Sequence, residues 1–182
     1  MSIGLVKGTV SLEPHNSQWE ILAKEIIEKL KNILGNDMVA AEHIGSTSIR
    51  KIHAKPIIDI AVGVTDFEKM MKHNDELKEV GIIYRREDHP GQHLYICGDL
   101  ENNIHTHYIH VVIWGESAWN NYINMRDYLN ANDEKAMVYS KLKVQLAEEY
   151  SDDRIAYTEG KHELIEKILE EARAWREREC IK

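Results

Sequence analysis

The hydrophobic and polar positions along the chain change period several times, and each change marks an element. Trp19, Leu22, Ala23, Ile26, Ile27, Leu30 and Ile33 recur at the three- and four-residue spacing of one helix face. Asn16 or Ser17 stands where that helix needs an N-cap, and Gly35 where it has to end. Met38 to Ile44 reads as a strand and residues 46–55 as a loop. Pro56 then opens Ile57-Ile58-Asp59-Ile60-Ala61-Val62-Gly63-Val64, a nearly continuous apolar run expected to form a strand buried on both faces. Asp66 is placed to cap a helix over roughly 67–78. Strands are expected near 81–86 and 93–98, flanking the turn segment Glu87-Asp88-His89-Pro90-Gly91, and a longer one over about 104–114. From Ser117 the period is helical to the end, with breaks near Asn132 and at Ser151-Asp152-Asp153, which gives three terminal helices.

This order predicts an α/β (α+β) architecture: a mixed β-sheet packed by helices, with a helical C-terminal third that buries its apolar stripes on the sheet or on itself. The chain has 182 residues, three prolines, no Pro/Gly/Ser linker and no internal repeat, so residues 1–182 read as a single domain. A net charge of -8 and a pI of about 5.7 argue against the basic face that DNA or RNA would need, but leave room for a local phosphate site. Cys97 and Cys180 lie far apart, so neither a disulfide framework nor a thiolate zinc site is expected, and Cys97 reads as a small buried hydrophobe. The opening MSIGLVKGTV is too short and too weakly apolar for a signal peptide, and no window approaches about 18 apolar residues. A cytoplasmic location without a membrane partner is the expectation.

The candidate chemistry concentrates in Glu42-His43-Ile44-Gly45-Ser46-Thr47-Ser48 and Lys55-Pro56-Ile57-Ile58-Asp59. Gly45 allows close approach of the backbone to a ligand. Ser46, Thr47 and Ser48 offer hydroxyls and successive N–H groups of the kind that form an anion nest, and Arg50, Lys51 and Lys55 add positive charge. A polar loop with a solvated basic tip explains the same residues. Asp59 lies among Ile57, Ile58, Ile60 and Val62, and a carboxylate buried there needs a cation, a metal or strong donors beside it. A structural aspartate accepting bonds from the Ser46 turn is the plainer account.

A strand ending in Gly-Ser, a short loop and a strand with an inward Asp resemble the nucleotidyltransferase superfamily. The fuller string EHIGSTS…AKPIIDIAVGV resembles one branch of it, the GrpB family (UPF0157). Further matches are Glu13-Pro14…Trp19, His107-Tyr108-Ile109-His110-Val111-Val112, Arg126-Asp127-Tyr128-Leu129, and Asp153-Arg154 with Tyr157-Thr158 and Lys161, in order over roughly residues 9–172. The resemblance implies a nucleotidyltransferase-like fold, a small phosphorylated ligand or nucleotide, and a divalent metal. It also places His110 beside Asp59, and raises Arg126, Arg154 and Lys161 as pocket-lining cations. An ion-pair network tying helices to sheet accounts for those cations equally well.

Departures from the superfamily pattern limit what the resemblance implies. The second carboxylate expected two residues after Asp59 is Ala61, which cannot bind metal. The neighbouring strand offers His107 and His110, which suit Zn, Mn, Ni or Fe better than Mg. His107 and His110, three apart, face opposite sides, whereas His105 and His107 share one. His110 is also explained as a core histidine. Glu42 is a candidate base or ligand, or else a salt-bridge partner of Lys55, and one of Glu42 and His43 should face the site. His89 and His93 read as solvent-facing turn residues. Gln92 stands where the family tends to have Arg. Three functions follow: nucleotidyl transfer from an NTP with Asp59 and His110 as base or metal ligands; a non-catalytic ligand-binding protein or partner module for another enzyme; and a metal-dependent hydrolase built on the His-rich strand.

Overall fold

The computed structural model describes residues 3–180, with Cys180 described through its backbone only. A short strand, β1 (Leu5–Val6), precedes helix α1 (Gln18–Leu34). Ser17 holds the N-cap position without a side-chain cap bond, and the side-chain oxygen of Asn16, one residue earlier, accepts from Gln18 N at 2.9 Å. Then follow β2 (Met38–Ile44), a single 3-10 turn over Ser46–Ser48, and β3 (Ile58–Val64). Next come α2 (Phe67–Met71), α3 (Asn74–Glu79), β4 (Ile83–His89), β5 (Gln92–Asp99) and β6 (Ile104–Ile113). Four helices close the described chain: α4 (Ser117–Ala131), α5 (Asp133–Glu149), α6 (Arg154–Glu159) and α7 (His162–Cys180).

The strands form one mixed sheet in the order β2-β3-β6-β5-β4, with β1 beside β6. β3 and β6 run parallel at its centre, and the other pairs are antiparallel. Alternation along β3 and β6 sorts the side chains onto two faces. Ile58, Ile60, Val62 and Val64 join Ile109 and Val111 against Trp19, Ala23, Ile26 and Leu30 of α1, forming the main core. The opposite face carries Asp59 and Ala61; there Ala61 packs with Ile44, Val112 and Trp119 of α4. Ile49 and Ile52, from the loop after the 3-10 turn, are buried among Tyr128, Leu129 and Tyr139 of the C-terminal helices. That loop is therefore clamped between the sheet and the helical third.

Several sequence expectations are corrected. The helix over 67–78 is two short helices, broken at Lys72-His73, where His73 Nε2 reaches Asp37 Oδ2 at 3.0 Å. The turn after β4 shrinks to Pro90-Gly91, because pairing with β5 continues to His89 past two register shifts that skip Arg85 and Asp88. The helical third has an additional break at Gly160-Lys161. A Cβ on Gly160 would sit 2.7 Å from Leu146 Cδ2, so a larger residue there would have to shift the Leu146 side chain of α5. β3 is not buried throughout: Asp59 alone in it is partly open. His93 is not a solvent-facing turn residue but a half-buried one in β5; its ring lies 4.6 Å from that of Phe67 and its Nδ1 is 3.1 Å from the Tyr84 hydroxyl. Among the described residues no helix is long and apolar enough to cross a membrane.

Leu30 is completely buried where α1 meets the sheet. Leu30→Ala is expected to cost about 3 kcal/mol, read as a lower urea midpoint at unchanged slope. Ile155→Ala, at a side chain 73% exposed, is expected to stay within about 0.5 kcal/mol.

Candidate functional site

Ile44, the last residue of β2, pairs with Asp59 on β3, and the chain turns at Gly45 with φ +67°. A Cβ on Gly45 would lie 2.4 Å from Asp59 Oδ2. Glycine is thus required twice, by the backbone conformation and by the carboxylate seated against it. The three hydroxyls that follow have different fates. Ser48 Oγ donates to the Gly45 carbonyl at 2.7 Å, which closes the turn. Thr47 is 1% exposed, with its hydroxyl 2.9 Å from His43 Nε2 on the α1 side. Ser46 lies beside Tyr139 of α5, a side chain within reach of the Asp59 charge. Ser46 is therefore the hydroxyl on the Asp59 side, and Thr47 and Ser48 act as supports.

Asp59 and His110 share a sheet face, with His110 Nε2 3.6 Å from Asp59 Oδ1. Both remain partly open, at 28% and 20% side-chain exposure. Ala61 pairs with His110 across the parallel ladder, so the absent second carboxylate leaves a methyl group there. The Tyr122 ring lies 5.4 Å from the His110 ring, and its hydroxyl donates to Gln92 Oε1 at 2.8 Å. His107 points to the α1 face, where burial lowers its pKa to about 4. The expected pairing of His105 with His107 on one face is corrected by a bulge. The register steps from His107 to His105 and leaves Thr106 unpaired, so His105 turns to the Tyr108 hydroxyl at 2.9 Å.

Four cations surround this floor. Lys55 leads into β3, with its Nζ 5.3 Å from the centre of the Tyr157 ring. Lys161 covers the same ring at 4.2 Å, from the break between α6 and α7. Arg154 Nη1 donates to the Tyr108 hydroxyl at 2.7 Å while its guanidinium lies over that ring. Lys143 of α5 is 1% exposed; its ammonium donates to the His53 carbonyl and sits 4.6 Å from the Tyr139 ring centre. Among the described residues none of the four has a carboxylate within 4.0 Å. Burial and mutual repulsion push Lys55 and Lys143 down to about 7. Burial, with Arg154 adding repulsion, takes Lys161 to about 8, although Asp59 opposes the shift.

The remaining candidates lie elsewhere. Glu42 pairs with Arg126, not with Lys55: Arg126 Nη1 donates to Glu42 Oε2 at 2.7 Å, and its Nε to Asp127 Oδ1 at 2.8 Å. Asp127 also receives Arg176 from α7. Arg126 and Glu42 therefore belong to an ion-pair network tying α4 and α7 to the β2 edge. They border a separate cleft of about 560 Å³ between α1 and α4. Arg50 faces Glu20 and Lys51 pairs with Asp133, both at exposed positions. Lys143 and Tyr139 escaped the sequence reading. Their signal was present: Ala136, Tyr139, Ser140, Lys143 and Leu146 form one buried helical stripe, with a lysine at a core position.

Asp59 and His110 offer a metal two donors. Among the described residues no group of three or more His, Cys, Asp and Glu side chains is arranged to hold one. This donor set does not fit a divalent cation held by protein groups alone. Gly45→Ala is expected to displace the Asp59 carboxylate and strain the turn, costing about 2 kcal/mol of stability in urea unfolding. The crowded lysines give ligand-free stability a sign. Their folded pKa values lie below those of the unfolded chain, so the unfolded state binds more protons between about pH 7 and 10. Stability is expected to rise from pH 7 to 8.5, read as Tm, and Lys143→Met should flatten that rise.

The family model described as GrpB protein matches residues 9–171. The glutamate-rich protein GrpB of Alkalihalophilus pseudofirmus is 40% identical over 172 residues, covering 93% of this chain and 99% of that protein. The UPF0157 protein YqkA of Bacillus subtilis is 33% identical over 93% of this chain and 49% of its own length. Among solved structures, the conserved protein GrpB from Enterococcus faecalis superposes with a TM-score of 0.83 at 31% identity, over 91% of this chain and 99% of that one. Cid1, solved with its short product ApU, reaches a TM-score of 0.52 at 11% identity, over 74% of this chain and 42% of that one; it shares the fold. On these matches the chain belongs to the GrpB family, with a nucleotidyltransferase-like fold.

Proposed function

We propose that the protein binds a small phosphorylated ligand, of the nucleotide type, in the pocket above Ser46, Asp59 and His110. The observation that carries this reading is the set of four cations, Lys55, Lys143, Arg154 and Lys161, gathered without a carboxylate partner in a chain of net charge -8. Uncompensated charge in a partly desolvated place costs stability, and an anionic ligand restores the balance. The phosphate would lie against the Ser46 turn, with Lys55, Arg154 and Lys161 donating to its oxygens. The Tyr122–His110 pair and the Gln92 amide, farther along the sheet, supply an aromatic wall with a polar end suited to a base.

A second reading, nucleotidyl transfer, is favoured by the Asp59–His110 pair on the pocket floor. Asp59, helped by His110, would take the proton of an attacking hydroxyl while the phosphate is held by the cations. Fold likeness to Cid1, described as a poly(U) polymerase solved with MgGTP, is compatible with it, while Ala61 in the second carboxylate position weighs against a metal pair.

Calorimetric titration with inorganic phosphate, pyrophosphate and a nucleotide panel tests both readings. Lys55→Met is expected to weaken binding about tenfold or more, the loss of one charge-assisted hydrogen bond, and Ser46→Ala to weaken it less. Asp59→Asn decides the metal question by sign. It tightens the binding of a bare anion by removing repulsion, and weakens that of a ligand bridged to Asp59 through a divalent ion. If no anion or nucleotide binds the folded protein, with or without divalent ions, the pocket reading is wrong and a partner module for another enzyme takes its place.

A further inference from the structure

Lys143 is not one of the residues a ligand would touch first. It is buried at 1% exposure, with the His53 carbonyl and the Tyr139 ring face to hold its ammonium. The charged groups facing it are Lys55 and Asp59 from the sheet side and Lys161 from the helical side. Lys55 in turn faces Arg154, Lys161 and Asp59, and Lys161 faces Asp59 and Arg154. Arg154 is permanently charged, so the three lysines are the members of the group that can shed a proton. With all of them protonated, four cations oppose one carboxylate, more than the dianion of a single phosphate neutralises.

Resting on the anion-pocket reading above, we propose that Lys143 is a charge-positioning residue of the pocket, and that the site takes up a multiply charged phosphate chain together with protons. The physical cycle is short. In the free protein the crowded lysines share fewer protons than isolated ones would, because burial disfavours each charge and the neighbouring cations add repulsion. A di- or triphosphate chain entering over Ser46 replaces that repulsion with attraction, and the lysines reprotonate. Lys143 does this without touching the ligand: its charge acts through Tyr139 on the turn that Ser46 heads. The depressed lysine pKa values, about 7 for Lys55 and Lys143 and about 8 for Lys161, set the range in which uptake is measurable.

The test is titration of the full chain with inorganic pyrophosphate at pH 7.5, in buffers of different ionisation enthalpy. The slope of apparent enthalpy against buffer enthalpy counts the protons exchanged. The expected result is a net uptake of at least about half a proton, because the probe's own protons leave in the opposite sense on meeting a cationic site. Orthophosphate is expected to bind at least about tenfold more weakly. Lys143→Met should reduce the uptake while Kd rises less than for Lys55→Met. Lys143→Arg, which keeps the charge fixed, should bind pyrophosphate with reduced uptake, and it serves as the control if the methionine variant fails to fold. Tight binding with no net uptake, or uptake unchanged in both Lys143 variants, overturns this proposal and leaves the anion pocket standing. Absence of pyrophosphate binding between pH 6.5 and 8.5 overturns both.

Discussion

The close seat of the Asp59 carboxylate against Gly45 is the constraint on which the site depends. β2 and β3 can pair up to Ile44 and Asp59 only because the next residue has no side chain, and a Cβ there would overlap the carboxylate. With that turn made, Ser48 closes it, Thr47 points back to His43, and Ser46 is directed to the helical third. Ile49 and Ile52 then pin the loop into the α4–α5–α7 cluster. One glycine therefore fixes where the sheet face, the loop and the C-terminal helices meet.

What meets there is charge of one sign. Lys55 arrives from the sheet side, Lys143 from α5, Arg154 from α6 and Lys161 from the break between α6 and α7. Aromatic faces, Tyr157 for two of them, Tyr108 and Tyr139 for the others, provide the local stabilisation that carboxylates provide elsewhere in the molecule. The contrast with Arg126 is informative. Its guanidinium is matched by Glu42 and Asp127, and it ties α4 to the β2 edge as a structural clamp. Arg126 is a matched cation that holds this fold together, whereas Lys55, Lys143, Arg154 and Lys161 gather around Asp59 without a carboxylate of their own.

Much of this was legible in the sequence. The bounds of β2, the apolar run of β3 and the period of α1 follow from spacing, and the Gly-Ser turn facing Asp59 follows from the family resemblance. What the sequence hid depends on three-dimensional pairing. Lys55 and Arg50 look alike in a basic loop, yet one is half-buried against the Tyr157 ring and the other lies at the surface beside Glu20. The bulge at Thr106, which turns His105 towards Tyr108, has no local signal that simple alternation reveals. Lys143 occupied a core position of a helical stripe, but its meaning needed the other three cations, up to 88 residues away in the chain.

On this reading an anion is drawn to the Ser46 turn by Lys55, Lys143, Arg154 and Lys161, and not to the arginine-bearing cleft on the β2 edge. The most direct measurement is an NMR titration with inorganic pyrophosphate, following the backbone amides of Ser46 and Thr47 beside those of Arg50, Arg126 and Asn130, which line that cleft. Saturable shifts are expected at Ser46 and Thr47 that Lys55→Met weakens, with little change around Arg126. Shifts confined to the Arg126 cleft, or none at all in the folded protein, would contradict that reading.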